Sequence, residues 1–163
     1  MNKEKIVHLR LIGDKEEDLK VISAYLQDSV LVVRDMVFLK KNKSFIMMVN
    51  RFMWEDVEKG LLRSNKRIRS AVRFEGTLEV KSKNINQKNP NKILEYLAMK
   101  CDLDKHGNKK IKIYFSGNGI IILLLETIDV VMSDLGKPWN VKFIPKHEIW
   151  LLNYPFILNK TCY

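Results

Sequence analysis

Arginine stands out in this chain because lysine does most of the basic work. Of 163 residues, 29 are Lys or Arg and 19 are Asp or Glu, a formal net charge of +10. Yet Arg51, Arg63, Arg67, Arg69 and Arg73 fall within one short stretch. A guanidinium presents a planar fork that grips a carboxylate or phosphate through two parallel hydrogen bonds, which an ammonium cannot imitate. In "RIRSAVRFEG" the residues Arg67, Arg69 and Arg73 share one parity, so a strand would set them on one face, about 6.5–7 Å between alternate positions. Such a row meets either an anionic partner or internal acids. The internal candidates are Glu16, Glu17 and Asp18, then Asp28, Glu75 and Glu79.

Upstream, "VNRFMWE" places Asn50 and Arg51 in the middle of an apolar run. Neighbouring strand residues point to opposite faces. If both faces are covered, each needs a partner, because an unpaired buried charge is very costly. Arg51, Asp28 and Asn50 are therefore expected to form a structural clamp, with Arg51 pairing with Asp28 or a helix-borne Glu. Arg67, Arg69 and Arg73, joined by Arg51 and Trp54, are the candidate binding residues.

Other chemistries have no signature here. GxSxG, GxxxxGK[ST], GxGxxG and HExxH are all missing. His8, His106 and His147 lie far apart, without metal-type neighbours at ligand spacing, and "SGNG" reads as a hairpin turn. No catalytic residue, metal site or cofactor is expected. A site assembled from distant carboxylates is the remaining enzymatic alternative.

The elements that would position these residues can be read from periodicity. "KIVHLRLI" reads as a strand and "GDKEEDLKVISAYLQDS" as a helix, with Asp14 and Glu17 in capping-box positions and Leu19, Ile22, Tyr25 and Leu26 on one face. "LVVRDMVFLK" and "SFIMMVNRFMW" read as strands joined by "KNKS", and "RIRSAVRFEGTLEV" as one long alternating strand. "NPNKILEYLAMKC" predicts a second helix, with Asn89 as N-cap, Pro90 at the first position and Ile93, Leu94, Leu97 and Cys101 as its stripe. Cys101 there is a small core residue rather than a nucleophile. "KIKIYFS" and "IIILLLE" form a hairpin about "GNG", and "TIDVVMSDL" extends the sheet. The expected fold class is α+β: two β-α-β-β pattern repeats, about 5–55 and 67–133, forming a largely antiparallel sheet with two helices on one face.

Composition sets the frame. Hydrophobic content of 46% supports a core, and residues 1–147 are expected to form a single domain. No run of about 18 uncharged apolar residues exists, so no membrane span is expected. "MNKEKIVHLRLIGDKEEDL" carries no apolar leader, and two cysteines, Cys101 and Cys162, build no disulfide framework. A reducing cytoplasm is the natural compartment. Residues 148–163 form an apolar tail, with Trp150, Leu151, Leu152, Tyr154, Phe156, Ile157 and Leu158 crowded around Pro155. Such a tail either marks an interface or folds back over the sheet.

At "EDLKVISAYLQDSVLVVRDM", "FIMMVNRFMWE", "RIRSAVRFEG" and "SDLGKPW" the chain resembles the uncharacterised alphaproteobacterial domain-of-unknown-function family 2948. The likeness runs through Leu26-Gln27-Asp28, Asn50-Arg51-Phe52, Trp54-Glu55, the arginine-rich strand, and Gly136, Pro138 and Trp139, over most of residues 8 to 147. The resemblance implies a bacterial cytoplasmic protein and carries no activity, cofactor or catalytic residue; the tail lies beyond the family's usual end. These observations together point to a non-enzymatic binding or adaptor module that contacts another protein. The alternative is a basic RNA- or DNA-binding module that uses the arginine row, with Tyr114, Phe115, Phe74 and Trp54 as stacking surfaces.

Overall fold

Period-two alternation, more than helical spacing, governs how this chain pairs. The computed structural model describes residues 6–58 and 65–145. In chain order the elements are β1 (Arg10–Gly13), α1 (Glu16–Leu26), β2 (Val30–Val32), β3 (Met36–Leu39), β4 (Ser44–Phe52) and α2 (Trp54–Glu58). Then follow β5 (Lys66–Glu75), β6 (Thr77–Lys83), β7 (Ile93–Leu103), β8 (Lys109–Phe115), β9 (Gly119–Leu125) and β10 (Val130–Asn140). All described pairings are antiparallel, in the order β1-β10-β5-β4-β2-β7-β8-β9-β6, with β3 on the first half of β4. The fold is thus α+β but dominated by its sheet.

The sheet curls so that its two ends enclose one core. Phe45, Met47 and Val49 of β4 and Val72 and Phe74 of β5 meet Ile111, Ile113 and Leu123 from β8 and β9. Helix α1 packs against β7, β1 and β4 and adds Leu19, Ile22 and Leu26 to that core. Its first turn differs in detail from the expected cap: the Asp18 carboxylate, not that of Glu17, accepts the backbone N–H groups of Asp14 and Lys15, each at 3.2 Å. Gly13 lets the helix close over β1. A Cβ there would lie 3.1 Å from both Asp18 Cβ and Ile22 Cδ1, tighter than most native contacts.

Two expectations are corrected. The long strand over 67–80 is broken at Gly76, whose φ of +67° turns the chain from β5 into β6, a conformation that costs glycine least. The second helix does not exist: Ile93–Leu103 is strand β7. A bulge between Tyr96 and Ala98 shifts the register against β8. The expected stripe of Ile93, Leu94, Leu97 and Cys101 is not the buried set: Leu94, Tyr96 and Met99 enter the core and Ile93 is 69% exposed. The extra residue switches the strand's inward parity from even to odd and leaves apolar residues on both faces. Pro90 lies in the preceding turn, where its carbonyl accepts the Arg34 N–H at 3.0 Å. Without that helix the second β-α-β-β unit is lost, and the other helix is the short α2. Arg63 and the tail at 148–163 lie outside the described residues.

Candidate functional site

Strand β4 carries its odd positions inward, so Arg51 follows Phe45, Met47 and Val49 onto the core side and is 0% exposed. Two strands away, β10 brings Asp134 inward after Val130 and Met132. The Arg51 Nε donates to Asp134 Oδ1 at 2.8 Å and Nη2 donates to Oδ2 at 2.7 Å. Glu55, on the first turn of α2, accepts from Nη1 at 3.0 Å and from Nη2 at 2.6 Å. The Phe52 carbonyl accepts the remaining Nη1 hydrogen at 3.4 Å. All five guanidinium hydrogens are thereby used. Asp134 is equally full: it also accepts the Ser70 hydroxyl at 2.6 Å and the Leu9 backbone N–H at 3.0 Å. The Tyr25 ring lies 5.9 Å from the guanidinium carbon. The Arg51–Asp134 pair thus ties together β4, β5, β10, α1, α2 and the segment before β1.

Burial alone would raise the carboxyl pKa of Asp134, but the hydrogen bonds from Arg51, Ser70 and Leu9 outweigh it and hold the pKa below the usual value. A depressed folded-state pKa adds stability that is present above the unfolded value of about 4. That stability disappears as pH falls through the lower folded value. Asp134→Asn is therefore expected to be less stable than the parent at pH 7, with the gap narrowing steadily below about pH 4. Urea titrations across pH 7 to 3 (about that range) measure it; a gap that stays constant across the range would contradict this role.

The opposite face of the same strand end holds a second cluster. Arg67 Nη1 donates to the carbonyls of Asp28 at 3.0 Å and Asn50 at 2.9 Å, with the Phe52 ring 5.9 Å from its guanidinium carbon. Burial lowers the Arg67 pKa despite the nearby Asp28 and Glu95 carboxylates. Arg69 donates to Asn50 Oδ1 and pairs with Asp35, both at 3.1 Å. Arg73 pairs with Glu75 within its own strand. Trp54 tilts against Phe52 at 4.6 Å and donates its indole N–H to the Gln27 carbonyl at 3.1 Å.

Asn50, Asp28, Arg67 and Arg69 are thus brought together, Arg51 is held on the far side of the sheet, and Arg73 stands apart near the solvent. Arg51 pairs with Asp134 and Glu55 rather than with Asp28. Of the three row arginines, Arg67 and Arg69 spend their donors inside the fold. Tyr114 alone of the proposed stacking residues faces outward from a sheet; Phe115 and Phe74 are core.

Asp134 and Ser70 were missed, although parity could have found them. Each sits on the apolar parity of its strand, "VVMSD" and "IRSAV", as Arg51 does in "FIMMVNR". Opposite charges that share the core-facing phase of two apolar strands are natural partners. Among the described residues, which leave out His147, the other candidates form no shared site. His8 contacts the Gly136 carbonyl at 2.6 Å, and burial raises the Cys101 thiol pKa, which weakens it as a nucleophile. Among the described residues no cluster of His, Cys, Asp and Glu could hold a metal, and no helix is long and apolar enough to cross a membrane.

Outward from β3, β4, β5, β10 and β1 the register lines up Val37, Ile46, Arg73, Val131 and Ile12 in one row. Ile12 is 64% exposed and Val37 45%. Leu39 and Leu135 extend the apolar face along the strands at 41% and 42% exposure, and Arg10 is exposed beside them.

A family model described as "Protein of unknown function (DUF2948)" matches residues 9–147. No curated protein and no solved structure matches the chain.

Proposed function

We propose, for a chain that belongs to the DUF2948 family, a non-enzymatic role: a binding module that holds another protein against the outer face of β3, β4, β5, β10 and β1. The observation that carries this is the outward cross-strand row Val37–Ile46–Arg73–Val131–Ile12, exposed at Val37, Arg73 and Ile12 and half-buried at Ile46 and Val131. Contiguous exposed apolar surface marks interaction sites, and arginine set among apolar residues is a frequent binding hot spot. Arg10, and Arg73 where its exposed fork extends past its local pair with Glu75, give the partner's chemistry: an apolar patch bordered by carboxylates. The buried Arg51 cluster supports the reading, since the hydrogen-bonding capacity of Arg51 and Asp134 is consumed in holding the sheet.

Ile12→Glu combined with Val37→Glu tests the face. Both side chains are exposed, so the fold should lose no more than about 0.5 kcal/mol per change. A protein that co-purifies with the parent under native conditions is expected to be lost from the variant, a drop of at least about tenfold. A variant that melts like the parent and retains the same partner would remove this face from consideration.

A further inference from the structure

Lysines that look scattered in "KSK", "AMKCD" and "NKKIK" are gathered by antiparallel pairing. On the outer face of β6, β9, β8 and β7 the register aligns Glu79–Leu124–Lys110–Asp102, then Lys81–Ile122–Lys112–Lys100, then Lys83–Ile120–Tyr114–Ala98. An aliphatic row on β9, formed by Ile120, Ile122 and Leu124, therefore runs between lysines on β6 and lysines on β8. The face carries five lysines against two carboxylates and so keeps an excess of three positive charges. Glu79 pairs with Lys81 at 3.3 Å and Asp102 with Lys112 at 3.0 Å through solvent-exposed carboxylates, pairs that a partner's carboxylates can join or exchange.

We propose that this face docks an acidic amphipathic helix of a partner protein, laid along β9. Strands lie about 4.8 Å apart, so the two lysine rows stand about 10 Å from each other. An α-helix with its side chains is about 10–12 Å across. Its apolar stripe would rest on Ile120, Ile122 and Leu124, and carboxylates on its two flanks would reach Lys81 and Lys83 on one side and Lys110 and Lys112 on the other. Three rows span about 13 Å along the strands, the length of about nine helical residues. At the Leu124 end lies an open depression of about 560 Å³, where Leu103, Ile122 and Leu124 are bordered by Lys81, Lys105 and Lys110 and by the carboxylates Glu79 and Asp104.

Two other occupants fit less well. A single-stranded nucleic acid needs aromatic platforms for its bases, and this stripe is aliphatic with Tyr114 at its edge. The chain's own segment 146–163 holds one carboxylate, Glu148, against Lys146 and Lys160, the wrong charge for a lysine-lined face. The surface lies on the other half of the sheet from the apolar row above and is independent of that reading.

The probe is a fluorescent peptide of about 15 residues, a helical leucine stripe flanked on both sides by glutamates, read by anisotropy at low salt. The parent protein should bind it at least about tenfold more tightly than a scrambled peptide of the same composition. Oligouridine RNA should not displace it. Lys81→Glu, Lys83→Glu and Lys110→Glu together should abolish binding, and the neutral pair Lys83→Gln and Lys110→Gln should weaken it measurably if the triple variant folds poorly. Equal binding of the scrambled peptide or ready displacement by RNA would mean that charge alone is read, overturning the proposal. So would a parent that ignores the probe at low salt, or folded variants that bind like the parent.

Discussion

Arg51→Ala is expected to lower the free energy of unfolding by about 3–5 kcal/mol, the range for breaking a buried charge pair from one side. The loss has a specific origin. Removing the guanidinium leaves the Asp134 carboxylate, 0% exposed at its side chain, with only Ser70 and Leu9 as donors. Glu55 is 24% exposed and can rehydrate, so most of the penalty falls on Asp134. Arg51→Lys should recover little, because one ammonium cannot make bidentate contacts with both Asp134 and Glu55. Arg51→Met with Asp134→Leu removes both charges together and should regain much of the loss, since well-packed apolar replacements of buried pairs are often neutral. Urea denaturation of the single and double variants supplies the comparison. An Arg51→Ala protein within about 1 kcal/mol of the parent would show that the cluster is not the tie it resembles.

Reversing Arg67 and Arg69 together to glutamate should also destabilise, by about 3 kcal/mol, rather than act as a clean binding lesion. At position 67 a carboxylate would face the carbonyls of Asp28 and Asn50, which now accept hydrogen bonds, beside the Asp28 and Glu95 charges. At position 69 it would confront Asp35. Arg73→Glu is different. Its side chain is 56% exposed and its pair with Glu75 is local, so the cost should stay within about 1 kcal/mol. Thermal melts of the double and single variants beside one binding assay separate the two roles. If the double variant melts like the parent, the carbonyl contacts of Arg67 contribute nothing and the row is free to serve a partner. A binding defect in Arg73→Glu alone would place that residue at the interface.

Much of the architecture is legible in local pattern. The apolar runs "SFIMMVNRF" and "IIILLL", with the alternation of "KIKIY" and the Asn-Gly turn, placed β4 and the β8–β9 hairpin, because strand-forming composition and turn chemistry are local properties of the chain. Opposite pointing of Asn50 and Arg51, and the shared face of Arg67, Arg69 and Arg73, follow from a strand's side-chain period of two. Helix α1 was legible from its acidic start and its Leu19, Ile22 and Leu26 stripe. Tertiary structure alone decided the rest. The extra residue at the β7 bulge is defined by a partner strand, so "NKILEYLAMKC" presents helical spacing until β8 is laid beside it. Gly76 breaks a continuous alternation that carries no other mark of a corner. Arg51 finds Asp134 from 83 positions away, a distance over which composition and periodicity specify nothing but compatible parity. The lysine rows beside β9 arise in the same way, since register between strands, not spacing along the chain, sets which charges become neighbours.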